Sequence, residues 1–330
     1  MRVEGHGAVA ATSKNYDSHG VADGSNTRIV VLFPGALGDL LLAMPAIAEL
    51  RRRHAPAHLT LAVNRALCAL VVVSAVADAV ERLDDAAAAG LFGGDRMPAW
   101  IAGHPHLYAW VGARDPALQA RLRAVTTTAV FHGVVRGDGP EHACDAYAGQ
   151  VGAAPQALRF RWSSPMPSPG VVDLLARLPR PILAIHPGAG APAKRWPAAH
   201  FDAVARRWGA AGGGVCEIVG PADGDLDPIE CASRVVEWSL PDVLALLASI
   251  DAYVGNDSGI THLAAAAGAR GVALFGPTPA RRWAPSGSSI AALQAPDSDS
   301  SDDGLAAIES HRVWKALGYG GCLDKLQGRT

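Results

Sequence analysis

One motif constrains this chain more than any other, and it occurs twice. A short aliphatic, β-branched run stops at a Pro-Gly pair, and a segment with helical periodicity follows. The first copy is Arg28–Phe33 (RIVVLF), ended by Pro34-Gly35. From Leu37 to Arg53, the residues Leu40, Leu41, Ala43, Met44, Ile47 and Leu50 then form an apolar stripe, closed by Arg51, Arg52 and Arg53. Basic residues there complement the helix dipole, and the stripe's period is that of an amphipathic helix. Residues 59–63 supply the next strand, so the order strand, helix, strand predicts a βαβ unit on a parallel sheet.

The second copy begins at Ile182–His186 and ends at Pro187-Gly188. A helix over 197–210, a strand at 215–219, a helix over 241–249 and a strand at 251–254 follow. A helix over 259–267 and a strand at 271–275 complete the series. Between the two copies, residues 163–169 (SSPMPSP) hold three prolines in seven positions and read as a linker. Residues 84–140 carry little pattern, 142–151 read as a helix, 286–304 as loop, and 305–317 as a closing amphipathic segment. The expectation is an α/β chain of two consecutive doubly wound, Rossmann-like halves around that linker. Residues 28–165 would form the first half and 166–330 the second, behind an unstructured leader at 1–27.

Composition removes several function classes. The 29 Lys and Arg against 31 Asp and Glu give a formal net charge of −2, so nucleic-acid binding has no compositional support. Five cysteines, at 68, 144, 216, 231 and 322, include no CxxC pair, which argues against a disulfide framework and against a zinc site. The best apolar window, 66–77, is about twelve residues long and too short to span a bilayer. Residues 1–27 lack a signal-peptide core. A cytoplasmic protein is expected.

Four segments carry candidate chemistry, each at a strand-to-helix or strand-to-turn junction. Gly35-Ala-Leu-Gly38-Asp39 opens the first helix, where backbone N–H groups favour anions. It lacks the third glycine of a dinucleotide fingerprint, and no acidic residue stands about 20 positions on, so NAD is disfavoured. Asp39 also has a plain structural explanation, complementing the dipole at a helix start. His186-Pro-Gly188-Ala-Gly190, followed by Lys194-Arg195-Trp196-Pro197, sets a cation before a helix, a phosphate-binding arrangement by charge and donor count. The alternative is a solvated Lys-Arg pair with Trp196 as a hydrophobic staple. Asn256-Asp257-Ser258-Gly259-Ile-Thr-His262 offers a cap at Asp257 or Ser258 and a glycine that permits close backbone approach. His262, one turn in, reads equally as a satisfied core histidine. Phe275-Gly276-Pro277-Thr278 is by itself a turn.

Taken in order, these segments give the chain a resemblance to the heptosyltransferase-type glycosyltransferases of family 9. The matching residues are GDLLLAMP at 38–45, HPGAG and KRWP within 186–197, NDSGITHLAAAAG at 256–268 and LFGPT at 274–278. His142-Ala-x-x-x-Tyr147-x-x-x-Val151-Gly152 is similar to the family's segment near the end of the first domain. The resemblance implies a GT-B fold and inverting transfer without a metal or other cofactor. It implies a nucleotide-sugar donor, ADP-heptose, and a lipid-linked glycan acceptor such as a lipopolysaccharide core. By the same resemblance Asp39 is the base, and Lys194 contacts the donor diphosphate. Asp257, Ser258, Gly259 and His262 lie at the donor phosphates and sugar, and Asp223, ending VGPAD, holds the ribose. Gly35, Gly38 and Gly188 are the phosphate-turn glycines. A lipid-linked acceptor further implies peripheral contact with the cytoplasmic face of the inner membrane, through Arg51, Arg52 and Arg53. No DxD-like metal pair stands in a suitable turn. Two alternatives stay open: a sugar-nucleotide-binding relative with altered or lost transfer, and a dehydrogenase or epimerase on a similar scaffold.

Overall fold

The structure is a computed structural model that describes residues 27–318, except 95, 155–159, 161, 164, 231, 287 and 297–303. The expected leader, one linker residue and two of the five cysteines therefore lie outside the described residues, Thr27 excepted. The chain divides into two compact units. One contains the strands before Gly35 together with Ile47–Val134, and the other contains Gly35–Ala46 and everything from Val135 on.

The first unit is built on five strands: β1 (Arg28–Phe33), β2 (His58–Val63), β3 (Ala79–Arg82), β4 (His106–Ala109) and β5 (Thr128–Phe131). All neighbours are parallel, in the order β3-β2-β1-β4-β5. Central strands of such a sheet are covered on both faces, which is why β1 and β2 read as continuous apolar runs. Helices α2 (Arg65–Ser74), α3 (Ala89–Phe92) and α4 (Pro116–Arg123) connect them. Helix α1 (Leu37–Arg53) runs on through Pro45 and crosses from one unit into the other. Its basic end is internally neutralised. Arg52 and Arg53 both pair with Glu49, at 2.7 and 3.2 Å, and Arg51 pairs with Asp78. The two guanidiniums hold the Glu49 carboxyl down at about 2.

The second unit carries six strands: β6 (Ile182–His186), β7 (Gly214–Val219), β8 (Ser233–Val236), β9 (Ala252–Asn256), β10 (Arg270–Phe275) and β11 (Ser289–Gln294). Their order is β11-β10-β9-β6-β7-β8, again all parallel. The helices are α5 (Ala143–Gln150), α6 (Pro169–Arg177), α7 (Ala198–Ala210), α8 (Leu240–Leu247), α9 (Gly259–Ala266), α10 (Ala280–Trp283) and α11 (Ser310–Ala316). The sheet grows outward from β6 in both directions, so a topological switch point falls between β6 and β9. In open α/β sheets ligands bind outside the carboxyl ends of the strands at that point.

Three local departures from the sequence reading have physical causes. Residues 286–304 are not all loop: β11 is an edge strand with mostly exposed side chains, so no apolar run marks it. The linker ends early, because Pro169 occupies the first turn of α6, where its missing N–H costs nothing. The segment 305–317 breaks into a 3₁₀ turn (Leu305–Ala307) and α11. The staple before α7 holds: Trp196 packs edge-on against Phe201 at 4.9 Å, and its indole N–H donates to Ile308 O at 2.8 Å.

Candidate active site

Everything that follows lies within the second unit. β6 and β9 run side by side, with His186 opposite Gly255, so the loops leaving both strands start at one edge. Asn256 ties these loops together. Its side-chain amide donates to Pro187 O at 2.7 Å, and its oxygen accepts the Trp196 N–H at 3.0 Å. Ser258 caps α9 by accepting the Thr261 N–H. Because Ser258 takes the cap, the Asp257 carboxylate is left for other partners. It accepts from Lys194 Nζ at 2.8 Å and from the Thr278 hydroxyl at 2.5 Å. Thr278, which as sequence was only part of a turn, is thereby a third member of the cluster.

The N-terminus of α1 meets this edge. A Cβ on Gly259 would lie 2.9 Å from Leu37 Cβ, and one on Gly38 would lie 3.3 Å from the His262 ring. Both glycines therefore allow two helix starts to approach more closely than side chains would permit. Between them opens a cavity of about 380 Å³. Gly38 and Asp39 line it from α1, and Lys194, Asp257, Ser258, Gly259 and His262 from the β6–β9 edge. Arg136, Gly137 and Asp138 line it from the segment before α5, and Trp283 from α10. The volume falls in the range of small-molecule sites.

The electrostatics of the cavity separate an anion from a set of cations and amides. Burial raises the Asp39 carboxyl above the ordinary carboxylate value. A hydrogen bond from the Ala36 backbone and the charges of Arg136 and Lys194 offset part of that rise. Asp39 thus serves the helix start and faces the cavity as well. His262 is buried, and burial pushes it down to about 4 despite the Asp257 charge, so at neutral pH it is an uncharged imidazole. The Tyr147 hydroxyl, raised by burial and by the Asp39 carboxylate, stays protonated and accepts the Val135 N–H at 3.3 Å. The start of α9 adds backbone N–H groups and the positive end of its dipole.

Of the residues singled out from the sequence, Gly38, Asp39, Lys194, Asp257, Ser258, Gly259 and His262 meet at one cavity. Gly35, Gly188 and Asp223 lie outside its lining. Gly188 and Asp223 meet each other instead. A Cβ on Gly188 would lie 2.2 Å from Asp223 Oδ1, and Asp223 accepts the Gly220 N–H at 2.9 Å. Next to this loop Arg195 pairs with Asp225 at 2.7 Å. Sequence reasoning gave no role to the cavity residues Arg136, Gly137, Asp138, Thr278 and Trp283.

This arrangement, a switch-point edge with a capped helix and a paired lysine, is accompanied by a family match. The model of glycosyltransferase family 9 (heptosyltransferase) matches residues 153–304. That match covers somewhat under half of the chain. Of the sites described, only Asp39, Arg136 and their neighbours precede it in sequence. A curated relative, lipooligosaccharide heptosyltransferase 2 of Haemophilus influenzae, is 36% identical over 111 residues, covering 30% of this chain. The chain thus spans about a third, 32%, of that relative's length. The shared fold extends beyond the matched residues. A glycosyltransferase family 9 structure from Veillonella parvula superposes with a TM-score of 0.70 at 20% identity, covering 93% of this chain and 100% of that one. E. coli ADP-heptose lipopolysaccharide heptosyltransferase II superposes with a TM-score of 0.67 at 19% identity, covering 92% and 100%. The two parallel α/β sheets have the GT-B fold of those structures.

Proposed function

We propose that the chain is an inverting, metal-independent glycosyltransferase that moves a sugar from a nucleotide donor to a lipid-linked glycan. The observation that carries this reading is that one cavity is lined by a half-buried carboxylate from α1 and by a cation-and-amide edge from β6 and β9. The carboxylate is Asp39, and the edge holds Lys194 and the start of α9. The family 9 match and the relatives named for heptose transfer favour ADP-heptose as donor and a lipopolysaccharide core as acceptor.

In this mechanism the Asp39 carboxylate takes the proton of an acceptor hydroxyl as its oxygen attacks the anomeric carbon. The bond from that carbon to the diphosphate oxygen breaks on the opposite face, which inverts the configuration. Burial suits Asp39 to the role, since a carboxylate with raised proton affinity is the stronger base. Negative charge grows on the departing diphosphate, and preorganised donors aimed at it lower the barrier. Lys194 and the α9 amides supply those donors. Neutral His262 can hydrogen-bond to the sugar or a phosphate without adding charge. Asp223, beside the Gly220 turn, would hold the ribose. No other cofactor enters the scheme. The protein would work in the cytoplasm and meet its acceptor at the membrane surface. Among the described residues no helix is long and apolar enough to cross a membrane.

Calorimetric titration of ADP, ADP-heptose and UDP-sugars into the full chain tests the reading. Selective binding of the adenine nucleotides is expected. Equal affinity for all, or binding of NAD in their place, would overturn it.

A further inference from the structure

Arg282, on α10, is 5% exposed, yet no carboxylate pairs with it among the described residues. Its guanidinium is spent on backbone carbonyls of one segment. Nε donates to Gly137 O at 2.6 Å, Nη1 to Glu141 O at 2.7 Å and Nη2 to Arg136 O at 3.2 Å. The segment is shaped to admit it, because a Cβ on Gly139 would lie 2.6 Å from Nη1. A second clasp stands beside the first: the His142 ring bonds to Ala284 O at 2.8 Å. An unpaired buried guanidinium is costly unless every N–H is used, and here the fork geometry serves three carbonyls at once.

That segment has little else to fix it. It contains Gly137 at a φ of +70° and runs Arg136-Gly-Asp-Gly-Pro-Glu141. It also presents Arg136 to the cavity that Asp39 lines. We propose that Arg282 is a positioning residue, whose buried guanidinium clamps the 136–141 segment so that the Arg136 charge stands at a fixed place beside Asp39. The substrate-facing cation is Arg136, and Arg282 acts through it. The consequence concerns the base, since Arg136 opposes the upward push of burial on the Asp39 carboxyl. Loosening the clamp lets the exposed Arg136 move away from Asp39 and raises the proton affinity of Asp39. The inference rests on Asp39 being the base of the proposed transfer.

The test follows the Asp39 carboxyl carbon by NMR in the full chain, with ¹³Cγ-labelled aspartate and the resonance assigned by Asp39→Asn. Arg282→Lys keeps the charge but loses the fork. Gly139→Ala drives the guanidinium out while leaving Arg282 in place, so one of the two variants reads even if the other fails to fold. Each is expected to raise the Asp39 midpoint by about half a pH unit, the scale of one screened charge. Arg136→Ala should raise it equally, and combining it with Arg282→Lys should add nothing. ADP affinity should stay within about twofold in Arg282→Lys and in Gly139→Ala. An unmoved midpoint in folded Arg282→Lys or Gly139→Ala would overturn the proposal, as would loss of ADP binding in either. Should Asp39→Asn retain full transfer, the base assignment fails, while the midpoint comparison still judges the clamp.

Discussion

Replacing Lys194 by alanine is the perturbation whose size the structure allows to be worked out. The lysine is partly exposed, with 29% of its side chain accessible, whereas the Asp257 side chain it pairs with is at 9%. Removing the ammonium leaves Asp257 with the Thr278 hydroxyl as its remaining hydrogen-bond donor among the described residues. A half-exposed pair broken on one side costs about 1–2 kcal/mol, less than a fully buried one. The donor suffers twice. A charge-assisted bond to a diphosphate is lost, worth about 1.5–3 kcal/mol, and an uncompensated carboxylate now faces the phosphates. ADP binding should weaken roughly 10- to 100-fold. Adding Asp257→Asn removes the stranded charge but keeps an oxygen for Thr278. The double variant should therefore regain melting temperature and part of the lost affinity. Titrating ADP into wild type, the single variant and the double variant by calorimetry reads all three. Matched dissociation constants for wild type and Lys194→Ala would remove Lys194 from the site. A double variant no better than the single one would refute the coupling.

Three further outcomes are expected. The acid limb of kcat/KM should fall at a pH above the ordinary carboxylate value of 3.8, because Asp39 works ionised and burial raises it; a limb at or below that value would contradict the burial argument. His262 is held down to about 4 from 6.5 when folded, so between those values the unfolded chain binds a proton that the folded chain refuses. Stability should therefore fall as pH drops below about 6.5, by up to roughly 3 kcal/mol, and His262→Gln should flatten that slope in denaturant titrations; an unchanged slope would count against it. Gly188→Ala should push Asp223 off the Gly220 N–H and cost about 1–3 kcal/mol, with Asp223→Ala restoring much of the melting temperature; a single variant that melts like wild type would show the loop to be adaptable.

Much of this was legible in the sequence for a reason that sheet physics supplies. The inner strands β1, β2, β6, β7, β9 and β10 are buried along most of their length, so each leaves an apolar run that stops at a turn. The strands β4 and β5 have only four residues each and alternate in burial, and they fell in the segment that carried no pattern. The edge strand β11 carried no apolar run either. For the site the division is similar. Asp39, Lys194, Asp257 and His262 each stand beside a strand-to-helix junction, and such junctions show in sequence as glycine, proline and cap residues. Arg136 and Arg282 stand 146 residues apart and meet only through packing. Nothing in the spacing of either announces the other. The partners of Arg51, Arg52 and Arg53 were only partly legible: Glu49 stands within one helical turn of Arg52 and Arg53, whereas Asp78, which pairs with Arg51, stands just before β3.

The central claim is that Asp39 is the base, and Asp39→Asn tests it most directly. Asparagine keeps the shape of the side chain and removes its basicity. Transfer from ADP-heptose to a lipopolysaccharide core acceptor should lose about 10²–10⁴ in kcat, with ADP affinity within about twofold of wild type. A variant that transfers at the wild-type rate would contradict the account.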